Sequence, residues 1–390
     1  MQTSGTPRTK SIRAVLLLAF LVNFGVALNA YINSTFLTGA IGDKNVVSAL
    51  FTAGSLLAII GLAFIPLALR RIGNYRMTLV VTLGCALFLA SLALLGNPVA
   101  TSLAFLGYFA LMSIVYYHLD LLLEHFSRNE TTGAVRGGYL TVSNLAFLAG
   151  PFVAGFVLRS GSYEHLYLLS ALLFLTALPI LVRSFRTYED PAYIRAPFWK
   201  TLASIVRHPD MRGIFSAFFL LRFFYAWMVI YTPIYLNEYI GLSWSTIGIV
   251  FTVMLLPFVL LQYPLGKIAD TKLGEKEIMA GGFLIMAGTT AALTLITTGT
   301  WWVWALALFA TRVGASMVED MSSIYFFKKT DERHAELVSF FQMVSPLSYV
   351  LGPLIASLVL ALVDFRFIFV VLGVIMLTGV GVALRLKDTL

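Results

Sequence analysis

Long apolar segments separated by short polar ones fill almost the whole chain, from near residue 12 to near residue 385. A helix needs about 20 apolar residues to cross the hydrocarbon of a bilayer, whereas a β-barrel strand shows as a short segment of alternating polarity. The continuous runs predict an all-α integral membrane protein with twelve transmembrane helices, at about residues 12–36, 45–69, 77–96, 101–124, 138–159, 164–184, 213–237, 244–265, 277–298, 300–326, 336–360 and 366–385.

The composition agrees with a membrane assignment. Hydrophobic residues make up 59% of the 390 residues and charged residues only 12%, and the mean hydropathy is +0.87. A soluble domain carries about 25% charged residues, so a water-soluble fold is excluded. The first apolar segment is too long for a signal peptide and no small-residue cleavage site follows it, so we expect it to remain in the mature protein.

The basic residues lie almost entirely on one side of this twelve-helix arrangement. Cytoplasmic loops of membrane proteins hold the excess of Lys and Arg, which predicts a multi-pass protein of the cell (inner or plasma) membrane with both termini cytoplasmic. The net charge of +8 follows from this topology and from contact with anionic membrane lipid, so no nucleic-acid partner is expected. The exceptions, on the opposite side or inside spans, are Lys44, Arg159, Arg366, Arg222 and Arg312.

The longest polar interruption divides the predicted helices into two sets of six that resemble each other. Proline-leucine pairs beginning at Pro66 and Pro264 end the second and eighth spans, and glycine-proline pairs beginning at Gly150 and Gly352 lie in the fifth and eleventh. Parallel six-helix repeats are one way to build a carrier with its site at the repeat interface. The predicted divisions are an N-terminal half at residues 1–184, a cytoplasmic central loop at 185–212 and a C-terminal half at 213–390.

The polar stretch after the eighth predicted span carries a recognisable motif. Gly266, Asp270, Gly274 and Lys276 resemble the glycine, aspartate, glycine and basic pattern between helices 8 and 9 of the major facilitator superfamily, with one extra residue between Asp270 and Gly274. Together with the twelve spans and the repeat, the chain resembles a twelve-helix member of that superfamily over essentially its whole length. The resemblance implies two six-helix repeats, transport of a small solute by alternating access, and a cytoplasmic gate at this loop.

The corresponding loop of the first half keeps only part of the motif. Arg71 and Gly73 match it, but Pro66 stands in place of the first glycine and Arg70 in place of the aspartate. We therefore expect a weaker gating role for this first loop than for its counterpart in the second half.

The fifth predicted helix carries a glycine and proline motif similar to one that exporters of the superfamily have there. Gly150, Pro151 and Gly155 match it, while two of its glycines are replaced by alanine. Small residues let helices approach closely and a proline frees a backbone carbonyl, which suits a pivot or a sealed helix contact. Ordinary helix packing is the alternative interpretation. The counterpart in the eleventh helix is Gly352 and Pro353.

Ionisable side chains inside the predicted spans are the strongest candidates for function. Each costs roughly 2.5–3.5 kcal/mol on insertion scales and therefore tends to lie in a polar cavity with a partner. We expect the acids and the histidine to carry protons and one of the arginines to act as a counter-charge or to bind an anionic substrate. A fixed structural ion pair is the alternative. The candidates are Glu319, Asp320, Asp120, His118, Arg222 and Arg312.

Polar and aromatic side chains on two helices are further cavity candidates. Asn29 and Asn33 on the first helix could bind a polar substrate, and Tyr225 and Trp227 on the seventh could hold an organic cation or a sugar face. Hydrogen bonding between helices and aromatic packing are the alternatives.

Catalytic and metal-binding motifs are not found in the sequence, so we expect no enzyme activity, no cofactor and no metal. Three hypotheses about the function stay open. The first is a proton-coupled carrier, an antiporter if it exports hydrophobic or amphipathic compounds. The second is an uptake carrier for a polar or anionic metabolite. The third is a receptor or scaffold on a carrier fold. We expect a monomer that binds a small-molecule substrate.

Overall fold

The computed structural model describes residues 7–30, 32–127, 132–158, 163–193, 197–271, 273–330 and 333–387. Within these ranges, helices are the only regular secondary structure. The α-helices are α1 (Pro7–Ala30), α2 (Asn33–Ile41), α3 (Lys44–Ile72), α4 (Asn74–Leu94), α5 (Pro98–Phe126), α6 (Thr132–Leu158), α7 (Tyr163–Phe185), α8 (Phe198–Arg207), α9 (Pro209–Ile234), α10 (Trp244–Leu260), α11 (Gln262–Thr271), α12 (Glu275–Ala292), α13 (Trp301–Lys329), α14 (Ala335–Leu360) and α15 (Ile368–Leu384).

The lengths and the apolar character of these helices match the predicted membrane spans. Among the described residues, eleven helical segments are long and apolar enough to cross a membrane. The helix α6, at the position of the fifth predicted span, is 27 residues long. The predicted all-α, twelve-helix membrane fold is therefore confirmed.

The prediction of one helix over residues 12–36 is wrong at its end. α1 ends at Ala30 and the separate helix α2 begins at Asn33. The Asn29 side chain donates to the carbonyl oxygen of Gly25 at 3.0 Å, and the Asn33 side chain donates to Asn29 Oδ1 at 3.2 Å. Side-chain hydrogen bonds thus connect the end of α1 to the start of α2.

The span predicted over residues 244–265 is found as the candidate membrane span Thr246–Ala269, but its helix is interrupted at Leu261. α10 ends at Leu260, and α11 continues from Gln262 as far as Thr271. Pro264 has no amide hydrogen and its ring crowds the carbonyl of Leu260, so the hydrogen-bond ladder breaks there. Two positions of the motif predicted to form a loop, Gly266 and Asp270, consequently belong to a helix.

The chain forms two compact units. Unit 1 comprises Met1–Arg128, Val142–Phe198 and Thr330–Pro346, and unit 2 comprises Asn129–Thr141, Trp199–Lys329 and Leu347–Leu390. The first part of α6 therefore belongs to unit 2, and the first part of α14 belongs to unit 1. The amphipathic helix α8 lies within the stretch predicted as the central loop.

In unit 1, α4 packs against α5 and α7, α1 packs against α7, and α3 packs against α5. Buried aromatic side chains such as Phe105, Phe174 and Tyr108 fill the interior. An added Cβ at Gly25 of α1 would lie 3.0 Å from the Phe174 ring of α7. The absence of a side chain at Gly25 thus permits the close contact between these two helices.

In unit 2, α12 packs against α13 and α15, and α13 also packs against α9, α10 and α11. An added Cβ at Gly282 of α12 would lie 2.8 Å from the Gly314 carbonyl oxygen of α13. The two backbones therefore approach directly through a pair of glycines, as is common in membrane helix bundles. This packing positions α13, the helix that carries three of the six ionisable candidates.

Candidate functional site

A cluster of polar side chains inside unit 2 surrounds Glu319 of α13. The Arg222 guanidinium of α9 lies 3.3 Å from Glu319 Oε1, and Gln262 of α11 donates from Nε2 to Glu319 Oε2 at 3.0 Å. Tyr225, one turn after Arg222, lies beside the same carboxylate. All four residues belong to candidate membrane spans. The cluster is therefore an ion pair and a neutral hydrogen-bond donor held together within the membrane.

The two members of the ion pair differ in accessibility. The Glu319 side chain is 8% exposed and the Arg222 side chain 26%. The Arg222 guanidinium also lies over the Phe218 ring, 4.6 Å from its centroid, and 5.6 Å from that of Tyr225. An arginine within a membrane span faces a polar cavity rather than lipid, because lipid contact is costly for its charge. Arg222 therefore combines an accessible charge with an aromatic surround.

The other ionisable candidates of α13 lie deeper. Arg312 is buried, lies 5.0 Å from the centroid of the Phe224 ring, and approaches Thr311 Oγ1 at 3.5 Å. Asp320 is fully buried next to Glu319 in the chain. Arg222, one of the two arginines proposed as a counter-charge, is in ion-pair contact with Glu319.

Trp227 is part of an aromatic ladder along α9. Its ring lies between those of Phe223 and Tyr231, at centroid distances of 5.3 Å and 5.9 Å, and it is fully buried. This geometry is aromatic packing within unit 2, and Trp227 offers no accessible ring face for a cation. Tyr225, in contrast, lies at the Glu319 cluster.

In unit 1, the candidates of α5 contact neutral partners. His118 is fully buried and its Nδ1 lies 2.6 Å from Asn74 Oδ1 at the start of α4. The Asp120 carboxylate accepts a hydrogen bond from the Gln342 side chain of α14. Both contacts join an ionisable side chain of α5 to an uncharged side-chain amide.

The asparagines of α1 and α2 make their hydrogen bonds with other groups of the protein. Asn29 donates to the Gly25 carbonyl and, at 3.2 Å, to Ser170 Oγ, and its Oδ1 accepts from Asn33 and Tyr108. All four hydrogen-bonding positions of the Asn29 amide are thus used. Asn33 Oδ1 accepts from the Tyr167 hydroxyl at 2.8 Å. These two residues belong to a hydrogen-bond network inside unit 1.

The amino-acid sequence decides the family. It matches the family model of the Major Facilitator Superfamily over residues 15–323 and over residues 214–389. The chain belongs to the major facilitator superfamily. It is therefore a multi-pass membrane transporter, and the family resemblance predicted from the loop motif is confirmed. A search of curated protein sequences finds no match.

Solved structures of transporters share the fold of this superfamily member. The human organic anion transporter MFSD10 (TETRAN) is 14% identical with a TM-score of 0.78, covering 97% of this chain and 100% of that one. The proton:xylose symporter XylE is 14% identical with a TM-score of 0.74, covering 98% and 97%. A bacterial homologue of the iron transporter ferroportin is 13% identical with a TM-score of 0.79, covering 96% and 98%. At these identities the likeness shows the fold alone.

The second-half gate motif of the transporter lies around α11 and α12. Gly266 packs against the backbone of Gly133 in the first part of α6, where an added Cβ would collide with the carbonyl oxygen. Gly274 precedes α12, and Lys276 pairs with Glu277 at 3.5 Å. The side chain of Asp270 lies outside the described residues.

The first-half gate motif of the transporter has contacts of its own. Gly73 has a φ of +86°, in the left-handed region that favours glycine, and Arg71 is exposed. The backbone amide of Asn74 donates to Asp190 Oδ1 at 2.7 Å. Arg70, at the position of the motif aspartate, pairs with Glu336 of α14. A carboxylate from the stretch after α7 thus reaches the start of α4.

The glycine motif of the fifth and eleventh predicted helices makes close helix contacts in the transporter. An added Cβ at Gly150 of α6 would collide with Ala27 of α1, and one at Gly352 of α14 would lie 3.2 Å from the Ala226 Cβ of α9. Pro353 follows within α14. The surroundings of Pro151 and Gly155 lie outside the described residues.

Sequence reasoning did not single out three residues that the structure brings to these clusters. Gln262 contacts Glu319, Asn74 contacts His118, and Asp190 contacts the start of α4. A glutamine within an apolar span was a usable signal for the first, because an uncharged amide in a span also needs a partner. For Asn74 and Asp190 the contacts depend on how the helices pack.

Proposed function

We propose that this transporter is a proton-coupled secondary carrier in which Glu319 takes up and releases the coupling proton. The observation that carries the proposal is the ion pair of 3.3 Å between Arg222 and Glu319 within the membrane spans. Protonation of Glu319 removes the negative charge that holds Arg222. The arginine then loses its partner, which links proton uptake to a change at an accessible side chain.

Gln262 and Asp320 complete the proposed proton site. Gln262 donates to Glu319 at 3.0 Å and so holds one oxygen of this carboxylate. Asp320, buried beside it in the chain, is the proposed second proton acceptor, and His118 and Asp120 of α5 are proposed counterparts in the first half.

The favoured substrates are hydrophobic or amphipathic compounds, moved outward in exchange for protons. Aromatic rings lie around the Arg222 guanidinium, with Phe218 at 4.6 Å and Tyr225 at 5.6 Å. A flat apolar group could pack on such rings. The glycine and proline motif of α6, with Gly150 against Ala27, supports export as the direction.

Uptake of an anionic metabolite is the second candidate function. Arg222 is 26% exposed, so an anion could reach it, and Arg312 adds a second positive charge. One transporter with the same fold is a human organic anion transporter. A non-transporting receptor or scaffold is the third candidate, and it requires the Arg222 and Glu319 pair to be purely structural.

We further propose the arrangement in the membrane. The six-helix halves at residues 1–184 and 213–390, joined by the stretch 185–212, act as the two moving bodies of a monomer. Both termini face the cytoplasm of a cell membrane, because nearly all Lys and Arg residues of the loops lie on that side.

The test is proton movement in proteoliposomes that enclose a pH-sensitive dye. Solutes from a panel of amphipathic cations, organic anions and sugars are added to the wild type, Glu319→Gln and Asp320→Asn. We expect at least one solute to trigger proton flux in the wild type, and Glu319→Gln to abolish it while solute binding persists. Glu277→Gln is the matched control, because Glu277 is half-exposed at the start of α12.

The outcomes separate the candidates. Solute flux without proton flux would overturn the proton-coupling proposal and leave a uniporter or another coupling ion. Inward accumulation driven by an inward proton gradient would favour the uptake candidate. If the correctly folded wild type shows neither solute flux nor proton flux with any solute of the panel, the scaffold candidate would be favoured.

A further inference from the structure

The short helix α8 has a face that is buried in the protein. Thr201 and Ile205 are 4% and 6% exposed. Phe198, at the start of the helix, packs on the Phe340 ring of α14 at a centroid distance of 4.6 Å. Residues spaced by three and four positions lie on one side of an α-helix, so these contacts belong to a single face. This face fixes α8 to the rest of the protein.

A second face of α8 is apolar and exposed. Trp199 is 75% exposed and Val206 52%, and the half-buried Ala203 lies between them in the chain. Their spacing of four and three positions puts all three on one side of the helix. Contact of such apolar side chains with water is unfavourable. A tryptophan, with a large apolar ring and one N–H group, is most favourably placed at a membrane–water interface.

The third face of α8 is basic. Lys200 and Arg207 are exposed, with the exposed Ser204 between them in the chain, and their spacing again puts all three on one side of the helix. Because each residue adds a rotation of about 100°, the basic face borders the exposed apolar face. An apolar face beside a basic one is the pattern of a helix that lies in the surface of a bilayer.

The helix that follows places α8 at a boundary of the membrane. α8 ends at Arg207, and His208 has an extended backbone with a φ of −81° and a ψ of 115°. α9 begins at Pro209, where the candidate membrane span Pro209–Asn237 also begins. One residue therefore separates the end of α8 from a membrane span. The excess of Lys and Arg assigns this boundary to the predicted cytoplasmic side, where the leaflet carries anionic lipid.

We propose that α8 is an interfacial helix that docks on the anionic surface of the inner leaflet. Trp199 and Val206 insert between the headgroups and the upper parts of the acyl chains, and Lys200 and Arg207 bind lipid phosphates. The two exposed faces border each other, so one orientation of the helix satisfies both contacts. The membrane removes the apolar face from water, and the negative surface potential attracts the basic face.

α8 also contains the point at which the chain passes from one unit to the other. The stretch Val142–Phe198 belongs to unit 1 and the stretch Trp199–Lys329 to unit 2. Docking of α8 therefore holds this connection at the membrane surface, and the content of anionic lipid sets how firmly it is held. The inference does not require Glu319 to be a proton site, so either proposal can fail without the other.

The experiment measures the fluorescence of Trp199 in the full-length protein in lipid nanodiscs, as the difference between the wild type and Trp199→Phe. One quencher is a phospholipid brominated near the top of its acyl chains, and the other is acrylamide in the water. In nanodiscs rich in phosphatidylglycerol we expect the brominated lipid to lower the Trp199 emission by about half, because an interfacial ring lies close to the bromines. Acrylamide should have little effect.

The role of charge is tested by the double variant Lys200→Gln with Arg207→Gln, measured in the same way. Each basic residue at an anionic surface strengthens docking about fivefold. We therefore expect Trp199 of the double variant in anionic nanodiscs to behave like that of the wild type in phosphatidylcholine, with weaker quenching by brominated lipid. The control is Arg385→Gln with Lys387→Gln, which removes the same charge from exposed positions after α15 and should leave the quenching unchanged.

Three results would overturn the proposal. Quenching of Trp199 by acrylamide and not by brominated lipid would mean that the apolar face lies in water, where a soluble partner could bind it. Protection from both quenchers would mean that protein covers this face, as in contact with a second copy of the chain. Equal quenching by brominated lipid in anionic and neutral nanodiscs would exclude recognition of anionic lipid, and this comparison decides alone if the double variant does not fold.

Discussion

Two buried polar clusters, one in each unit, differ in their charges. In unit 1, Asn29 of α1 bonds to Ser170, a contact between two uncharged side chains. In unit 2, α9 and α13 hold the ion pair of Arg222 and Glu319. A hydrogen bond between side chains that do not titrate changes little when a proton arrives, whereas an ion pair is lost when its carboxylate is protonated. The difference teaches that the Arg222 and Glu319 cluster is suited to respond to protons and the Asn29 cluster is not.

The two units nevertheless share one kind of close contact between helices. Gly150 of α6 packs against Ala27 of α1 in unit 1, and Gly352 of α14 packs against Ala226 of α9 in unit 2. Small residues at both positions allow the same close helix crossing. The two units therefore share this packing contact while their polar side chains differ. Substitutions of polar residues can test the polar difference without changing the shared contact.

The largest effect is expected for Arg222→Gln, which removes one partner of the buried ion pair. We expect the free energy of unfolding to fall by about 3 kcal/mol, because a buried charge that loses its partner is strongly destabilising. The midpoint of thermal unfolding in detergent measures this. The double variant Arg222→Gln with Glu319→Gln should recover most of the loss. A double variant no more stable than Arg222→Gln would contradict a paired role for these charges.

A smaller effect is expected where α6 supports the charged cluster of unit 2. An added Cβ at Gly266 would collide with the Gly133 carbonyl, and one at Gly137 would lie 2.7 Å from the Gln262 carbonyl oxygen. Gly266→Ala should lower stability by about 2 kcal/mol, since overpacking costs 1–3 kcal/mol. Gly248→Ala on α10 is the control, because nothing lies within 4 Å of its added Cβ. Equal melting midpoints of the two variants would contradict this contact.

Unit 1 provides the neutral counterpart of these tests. Asn29→Leu removes a saturated amide that contacts Ser170, Asn33 and Tyr108. We expect a loss of about 1 kcal/mol, because hydrogen bonds between membrane helices contribute modestly. Measured between mildly acidic and neutral pH, this loss should not vary, since no charge is removed. Ser91→Ala, on an exposed face of α4, is the control. A loss as large as that of Arg222→Gln would erase the distinction between the units.

The sequence predicted the long helices well, because a run of apolar residues of bilayer length has few other ways to satisfy its backbone. It did not predict the end of α1 at Ala30 or the interruption after Leu260, the second of which depends on the ring of Pro264. It identified Glu319 as an unusual charge within a span. The choice of Arg222 as the ion-pair partner required the packing of α9 against α13, which hydrophobic periodicity does not determine.

The smallest effect is expected at the start of α4, where the two copies of the gate motif differ. The first copy has Arg70 where the second has Asp270, and Asp190 supplies a carboxylate to the Asn74 amide at 2.7 Å. The Tyr193 hydroxyl also donates to Asp190 at 2.7 Å, and burial raises the pKa of Tyr193, so this hydroxyl keeps its proton at neutral pH.

Asp190→Asn should therefore lower stability by about 0.5 kcal/mol, the usual contribution of a negative charge at an exposed helix N-terminus. The difference in melting midpoint from the wild type should shrink as salt is added, because Asp190 is exposed and salt screens its charge. Glu189→Gln, an exposed neighbour, is the matched control for a change in net charge. If both variants lose the same amount at every salt concentration, the effect belongs to overall charge and not to the contact between Asp190 and the Asn74 amide.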